Sequence, residues 1–214
     1  MAALHFIYST MNAGKSTALL QASHGYRERG LETMVFTSSK DDRFGKSEVV
    51  SRVGLRSAAY TYDESDNIYE MVQNENEKNK LSCILIDESQ FLTKAQVEQL
   101  GKIVDELNIT VMAFGIRTDF QGELFEGSKY LLAWADRLKE LRAVCHCGSK
   151  ATMIVRVSED GSIIRSGDQV EIGGNERYLS LCRKHFYECH GNGDGVIDLS
   201  IGGARAVWQA HTYN

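Results

Sequence analysis

The octapeptide Ser9-Thr10-Met11-Asn12-Ala13-Gly14-Lys15-Ser16 has the residue types of a phosphate-binding loop. It ends in G-K-S, but G-x-x-x-x-G-K-[ST] places a glycine five positions before Gly14, where Ser9 stands. Such a loop works because successive backbone N–H groups wrap phosphate oxygens where a helix begins, and the positive end of that helix adds to their field. The first glycine permits a sharp exit from the preceding strand, so serine can stand there only if that exit keeps ordinary backbone angles. Lys15 would reach the outer phosphates, and Ser16 would offer its hydroxyl to Mg²⁺. An isolated x-G-K-S ahead of a helix would equally be an ordinary helix start, so the motif needs company.

Company comes at Cys83-Ile-Leu-Ile-Asp-Glu-Ser-Gln-Phe91, an apolar run that ends in two carboxylates. An acidic residue at the end of a buried strand is the usual partner of a phosphate loop, holding Mg²⁺ directly or through water, and Asp87 fits that role. Glu88 is suited to take a proton from an attacking hydroxyl or water, since phosphoryl transfer asks mainly for positioning and charge neutralisation. Neighbouring strand residues point apart, so both carboxylates reach the rim only if the chain turns there. A D-E pair would equally suit an ATP-hydrolysing motor.

Cys145-x-Cys147 and Cys182-x-x-His185 form the third group, with 34 residues between the two pairs. Zn²⁺ takes four N or S ligands in a tetrahedron, and two short pairs brought together by a hairpin supply them with no open position, which reads as a structural site. His146 competes for the fourth place and His190 is nearby, but both fit the paired spacing less well. Cys83 reads as a small buried hydrophobe and Cys189 as an unliganded thiol. The stretch 190–201, HGNGDGVIDLSI, resembles a calcium loop but has His190 and Ile201 where carboxylates belong, and it is rejected.

Positioning these groups requires a parallel sheet. LHFIY (4–8) leads through the loop into a helix over 16–30 closed by Gly30, and TMVFTS (33–38) follows as a second strand, a βαβ unit. Residues 40–80 are polar and patchy, with a loop at DDRFGKSE and a weak helix around NIYEMVQNENE. LSCILI (81–86) reads as a central strand, Thr93-x-x-Gln96 caps a helix running to about Leu107, and TVMAFGI (110–116) is another buried strand. GSKYLLAWADRL reads as one helix ending near Leu141, after which the texture changes to a small module. The expected organisation is α/β, a P-loop parallel sheet with flanking helices plus a small zinc-binding module: a nucleotide-binding domain over 1–141, a zinc-binding lid domain over 142–190, and a flexible tail over 191–214.

Bulk properties narrow the partners. With 214 residues, 43% hydrophobic and 25% charged, the composition is that of an ordinary globular protein. No apolar run approaches the ~18 residues needed to cross a bilayer. The start, MAALHFIYSTMN, has no signal-peptide pattern, so the expected compartment is the cytoplasm. A net charge of −5 argues against nucleic acid as partner, because such proteins carry a basic face. The chain holds no proline, for which we have no physical account.

Taken together, S-x-M-x-x-G-K-S, D-E-x-Q-F, and I-G-G-x-x-x-Y before the second ligand pair resemble the type II thymidine kinases, and most closely the bacterial members. The likeness runs from about Leu4 to about His190. What it implies is ATP-dependent phosphorylation of thymidine, and of deoxyuridine, at the 5′-hydroxyl. Ser9 to Ser16 would bind the ATP phosphates together with Asp87 and Gln90; Ser16 and Asp87 would serve Mg²⁺; and Glu88 would be the catalytic base. Met11 and Phe91 would line the base pocket. Phe120, in the G-x-x-x-D-F stretch from Gly115, matches a ring the family sets against thymine, although aromatic core filling is the plainer alternative. Val170, Glu171, Ile172 and Gly173, with Tyr178, match the family's lid, which closes over thymidine mainly through backbone hydrogen bonds. Cys145, Cys147, Cys182 and His185 would hold the zinc that anchors it. Asp41 and Arg43 resemble a family loop near the phosphates. The family also suggests a homotetramer and feedback inhibition by dTTP. No resemblance is seen in 191–214.

A P-loop ATPase acting on nucleic acid, or a non-catalytic nucleotide sensor, stands as the alternative. The first predicts a basic face and further ATPase motifs, which the acidic, short chain does not offer. The second keeps Lys15 but has no need of Glu88.

Overall fold

A computed structural model describes residues 1–40, 47–158, 161–169 and 178–190 of the chain. They fall into two compact units: one of residues 1–8, 14–117 and 124–141, the other of residues 9–13, 118–123 and the described residues from Arg142 on.

The first unit is built on a six-stranded sheet. In chain order its elements are β1 (Leu4–Ser9), α1 (Lys15–Arg27), β2 (Glu32–Ser38), β3 (Glu48–Val50), β4 (Arg56–Ala58), β5 (Tyr60–Tyr62), α2 (Ile68–Lys78), β6 (Leu81–Ile86), α3 (Lys94–Leu107), β7 (Thr110–Ile116), α4 (Glu126–Trp134) and β8 (Arg137–Glu140). The sheet order is β5-β2-β6-β7-β1-β8, and the pairs β1–β8, β2–β5, β2–β6 and β6–β7 are parallel. Parallel strands need crossover helices, so both faces of the sheet are covered and the central strands read as unbroken apolar runs.

Strand β6 shows how period two divides the two cores. Ile84 and Ile86 lie in the cluster with Ile68 and Val72 of α2, Leu100 and Ile103 of α3, and Leu131 of α4. Cys83 and Leu85 lie in the cluster with Leu19 and Leu20 of α1. These four side chains, Cys83 to Ile86, are fully buried, which at about 25 cal/mol per Å² makes this strand the anchor for everything placed at its end.

Local signals set the helix boundaries. Thr93 accepts from the Gln96 N–H while the Gln96 side chain accepts from the Thr93 N–H, a complete capping box, and α3 ends at Asn108 in the left-handed region. Asn67 caps α2 through its side chain. The run expected as one helix across GSKYLLAWADRL divides instead: α4 stops at Trp134, and Arg137–Glu140 is an edge strand on β1. Asp136 explains the break, because its carboxylate accepts from the Leu4 N–H at 2.7 Å and fixes the chain in extended register beside β1. The patchy region 47–62 also carries more order than its composition suggests, a β3–β4 hairpin and the edge strand β5.

The second unit continues with β9 (Ala143–Val144), β10 (Lys150–Ala151), β11 (Met153–Val157), β12 (Ile163–Ile164), β13 (Tyr178–Leu181) and α5 (Arg183–His190). Strands β9 and β10 form an antiparallel hairpin whose turn carries Gly148 at φ 82°, and β12-β11-β13 form a small antiparallel sheet. Among the described residues its core holds Ala143, Ala151, Val155, Val157, Leu181, Phe186 and three cysteines, Cys145, Cys182 and Cys189.

Candidate active site

The phosphate loop joins β1 to α1. Ser9 ends the strand, and it is absent from the left-handed residues, which in this loop are Asn12 at φ 61° and Gly14 at φ 78°. The exit from β1 therefore keeps angles that any residue adopts. Gly14 is needed for its backbone angle alone, since a Cβ there would meet no atom within 4 Å. Lys15 opens α1 directly after Gly14, so the N-terminal amides of the helix face the loop.

At the end of β6 the chain does turn. The Ser16 hydroxyl donates to Asp87 Oδ2 at 2.9 Å. Burial, and then the neighbouring Glu88 charge, push the Asp87 carboxyl up to about 7, while Ser16, the Glu88 N–H and the Lys15 charge act in the opposite direction. Glu88 itself is left-handed, φ 50° and ψ 39°, and starts a single 3₁₀ turn over Ser89–Phe91. That conformation is uncommon for a residue with a Cβ, and it turns the chain directly after the strand, as both carboxylates need in order to reach one rim.

Gln90 is clamped at both ends of its amide. Its Nε2 donates to Glu88 Oε2, and its Oε1 accepts from the Ile116 N–H at 3.2 Å. A Cβ on Gly115 would lie 2.7 Å from Ser89 Oγ and 2.9 Å from Gln90 Oε1. A Cβ on Gly127 would collide with the Ser89 and Leu92 carbonyl oxygens. The D-E-S-Q-F segment thus sits in a seat formed by two glycines, a function for Gly115 and Gly127 that sequence reasoning missed. Phe91 packs edge-on against Phe125, ring centroids 6.0 Å apart, with the Lys40 ammonium 5.7 Å from its centroid.

In the second unit, Met11 and Tyr178 line one cavity of about 530 Å³ together with Asn12, Ala13, Arg142 and His146. The Ser180 hydroxyl donates to the Met11 carbonyl at 3.0 Å and fixes that end of the loop. Phe120 is fully buried, and the Arg156 guanidinium lies 4.3 Å from its ring centroid. Asp119 knots the Phe120 loop: Oδ1 accepts from the Gln121 and Glu123 N–H groups at 2.9 Å each, and Oδ2 accepts from Gln169 Nε2 at 2.9 Å.

Cys145, Cys147, Cys182 and His185 bring one ligand atom each to a common point, all within 4.8 Å of one another. His185 Nδ1 lies 3.4 Å from Cys145 Sγ and 3.3 Å from Cys182 Sγ, and Cys147 Sγ lies 3.9 Å from Cys182 Sγ. The other ring nitrogen of His185 is 3.7 Å from Glu188 Oε2, within ion-pair distance. Three thiols and one imidazole, four N or S donors, suit a structural zinc ion. His146 stacks on His185, ring centroids 4.2 Å apart. Bonds from Ser149 bring the exposed Cys147 thiol down to about 6, while burial raises Cys145.

Val170, Glu171, Ile172 and Gly173, the lid residues before Tyr178, lie outside the described residues, as do Asp41, Arg43 and 191–214. No helix among the described residues is long and apolar enough to cross a membrane.

Comparison with known proteins bears on the whole chain. The thymidine kinase family model matches residues 2–186. A thymidine kinase of Rhodopirellula baltica is 58% identical over 188 residues, 88% of this chain and 89% of that protein. One from Shewanella oneidensis is 58% identical over 188 residues, covering 88% and 98%. One from Salmonella paratyphi A is 53% identical over 213 residues, all of both chains, so the stretch after His190 also has a counterpart.

Proposed function

Because the chain belongs to the thymidine kinase family, we propose that it transfers the γ-phosphoryl group of ATP to the 5′-hydroxyl of thymidine, giving dTMP and ADP, and that it accepts deoxyuridine as well. The single observation that carries the reading is Glu88, held in a left-handed conformation beside the Ser16–Asp87 pair and gripped by Gln90. A sensor that only bound nucleotide would have no use for a restrained second carboxylate.

In this reading the loop amides and Lys15 hold the triphosphate, and Ser16 and Asp87 are the residues that would hold Mg²⁺. Their oxygens already lie 2.9 Å apart on a partly buried rim, and hard oxygen donors of this kind suit that cation. When bound, the ion neutralises charge on the phosphates. Glu88 accepts the proton of the 5′-hydroxyl as that oxygen bonds to the γ-phosphorus and the bond from phosphorus to the ADP oxygen breaks. Met11, Phe91 and Tyr178 contribute to the nucleoside pocket, with Phe120 and the lid residues 170–173. Cys145, Cys147, Cys182 and His185 would hold a structural zinc ion that ties β9 to the start of α5 in the second unit. The family reading carries further a homotetramer working in the cytoplasm in nucleotide salvage for DNA synthesis, with dTTP as feedback inhibitor.

The test is incubation of the purified protein with ATP, Mg²⁺ and each deoxynucleoside in turn, followed by separation of products. Thymidine 5′-monophosphate is expected. Its absence from a folded protein that binds ATP would sink the proposal.

A further inference from the structure

The base assigned to Glu88 under the proposed function depends on a conformation that costs energy. For L residues the left-handed region is disfavoured, and it persists only where surrounding contacts over-determine it. At Glu88 every main-chain polar group is taken. Its N–H donates to Asp87 Oδ1 at 3.1 Å, and its carbonyl oxygen accepts from the Phe91 N–H at 3.1 Å and from the Tyr62 hydroxyl at 3.0 Å.

The bond from Tyr62 differs in kind from the other two. Those from Asp87 and Phe91 are made within the same short segment and move with it. Tyr62 belongs to β5, an edge strand of the sheet, where it pairs with Ser38 of β2. It is 1% exposed. Burial, and then the nearby Glu88 and Asp87 carboxylates, hold the phenol well above its usual range, so it stays a donor across the working pH.

We propose that Tyr62 is a positioning residue for phosphoryl transfer: its hydroxyl, fixed in the sheet edge strand, holds the Glu88 peptide in the left-handed turn that presents the carboxylate to the nucleoside hydroxyl. It touches no substrate in this role, and it acts only through Glu88.

Tyr62→Phe keeps the ring in its buried slot and leaves the Phe91 N–H on the carbonyl, so the fold is retained. Expected is a fall in kcat of about five- to tenfold, the loss of one oriented hydrogen bond, with KM for ATP and for thymidine changed less than about twofold. In a Glu88→Gln background the same substitution should cause no further fall. An unchanged kcat in the otherwise native protein, or an undiminished loss in the Glu88→Gln background, overturns the proposal. Should Tyr62→Phe not fold, Tyr62→Met, which also lacks the hydroxyl, takes its place with the same fall expected, an unchanged kcat counting against the idea. If Glu88→Gln keeps full turnover, the base assignment fails instead. The placement is then read from the carbonyl and Cα carbon NMR shifts of Glu88, which should move away from left-handed values in Tyr62→Phe; unaltered shifts overturn the placement independently.

Discussion

The Ser16 hydroxyl and the Asp87 carboxylate lie 2.9 Å apart although 71 residues separate them, which joins the first turn of α1 to the end of β6. Removing Asp87 should therefore act on cation-dependent binding. Asp87→Ala is expected to weaken ATP binding at least about tenfold when Mg²⁺ is present and to change little when it is chelated, as measured by titration calorimetry. A loss independent of Mg²⁺ would count against the assignment.

Glu88→Gln keeps size and polarity but cannot accept the proton. Turnover should drop by about 10²- to 10⁴-fold while ATP affinity stays within about threefold, because the base acts only in the transition state. Single-turnover kinetics with a parallel binding titration checks this, and equal losses in both would remove Glu88 from the role.

The glycine seat under the D-E-S-Q-F segment can be filled. Gly115→Ala brings a methyl against Ser89 Oγ and Gln90 Oε1, and Gly127→Ala brings one against two backbone carbonyl oxygens. Gly127→Ala should be the more damaging, since backbone cannot swing aside as a side chain can. About 1–3 kcal/mol of destabilisation is expected for each, read from denaturant midpoints, with Gly115→Ala losing turnover through the displaced Gln90.

The second unit should depend on its metal. Cys182→Ala removes one of four ligands, and zinc content measured by mass spectrometry should fall from about one ion per chain to near none. Thermal stability and activity are expected to fall together, because Cys145 and Cys182 sit within the buried cluster of this unit. A stable, active, zinc-free protein would contradict the structural role.

Cys83 is fully buried in β6, and burial pushes its thiol up to about 12 from an ordinary value of 9.0. Above pH 9 the unfolded chain loses this proton while the folded chain keeps it, so the unfolded state binds fewer protons and stability falls as pH rises. The contribution is about 1.4 kcal/mol per pH unit between pH 9 and 12. Denaturation of Cys83→Ala beside the native chain should give a shallower slope over that window; identical slopes would refute the cause.

Much of the site was legible before any fold was known. A continuous run such as Leu81–Ile86 can bury both faces only in a central strand, and G-K-S ahead of a helix supplies its own amides and charge. Spacing also brought out the two ligand pairs, which the structure gathers within 4.8 Å. These are local patterns, and local chemistry is written in neighbouring residues.

Long-range geometry decided the rest. Nothing near Ser9 announces that its backbone needs no glycine, nor does Asp136 declare that it will end α4 by capturing the Leu4 N–H from the other end of the unit. The left-handed turn at Glu88 is the clearest case: the sequence determines that two carboxylates follow a buried strand. How the second of them is held is set by Gln90 on the Ile116 N–H, by glycines at 115 and 127, and by a tyrosine from an edge strand of the sheet. Hydrogen bonds and close contacts across 25 to 40 positions of chain exist only once the sheet has brought those positions together.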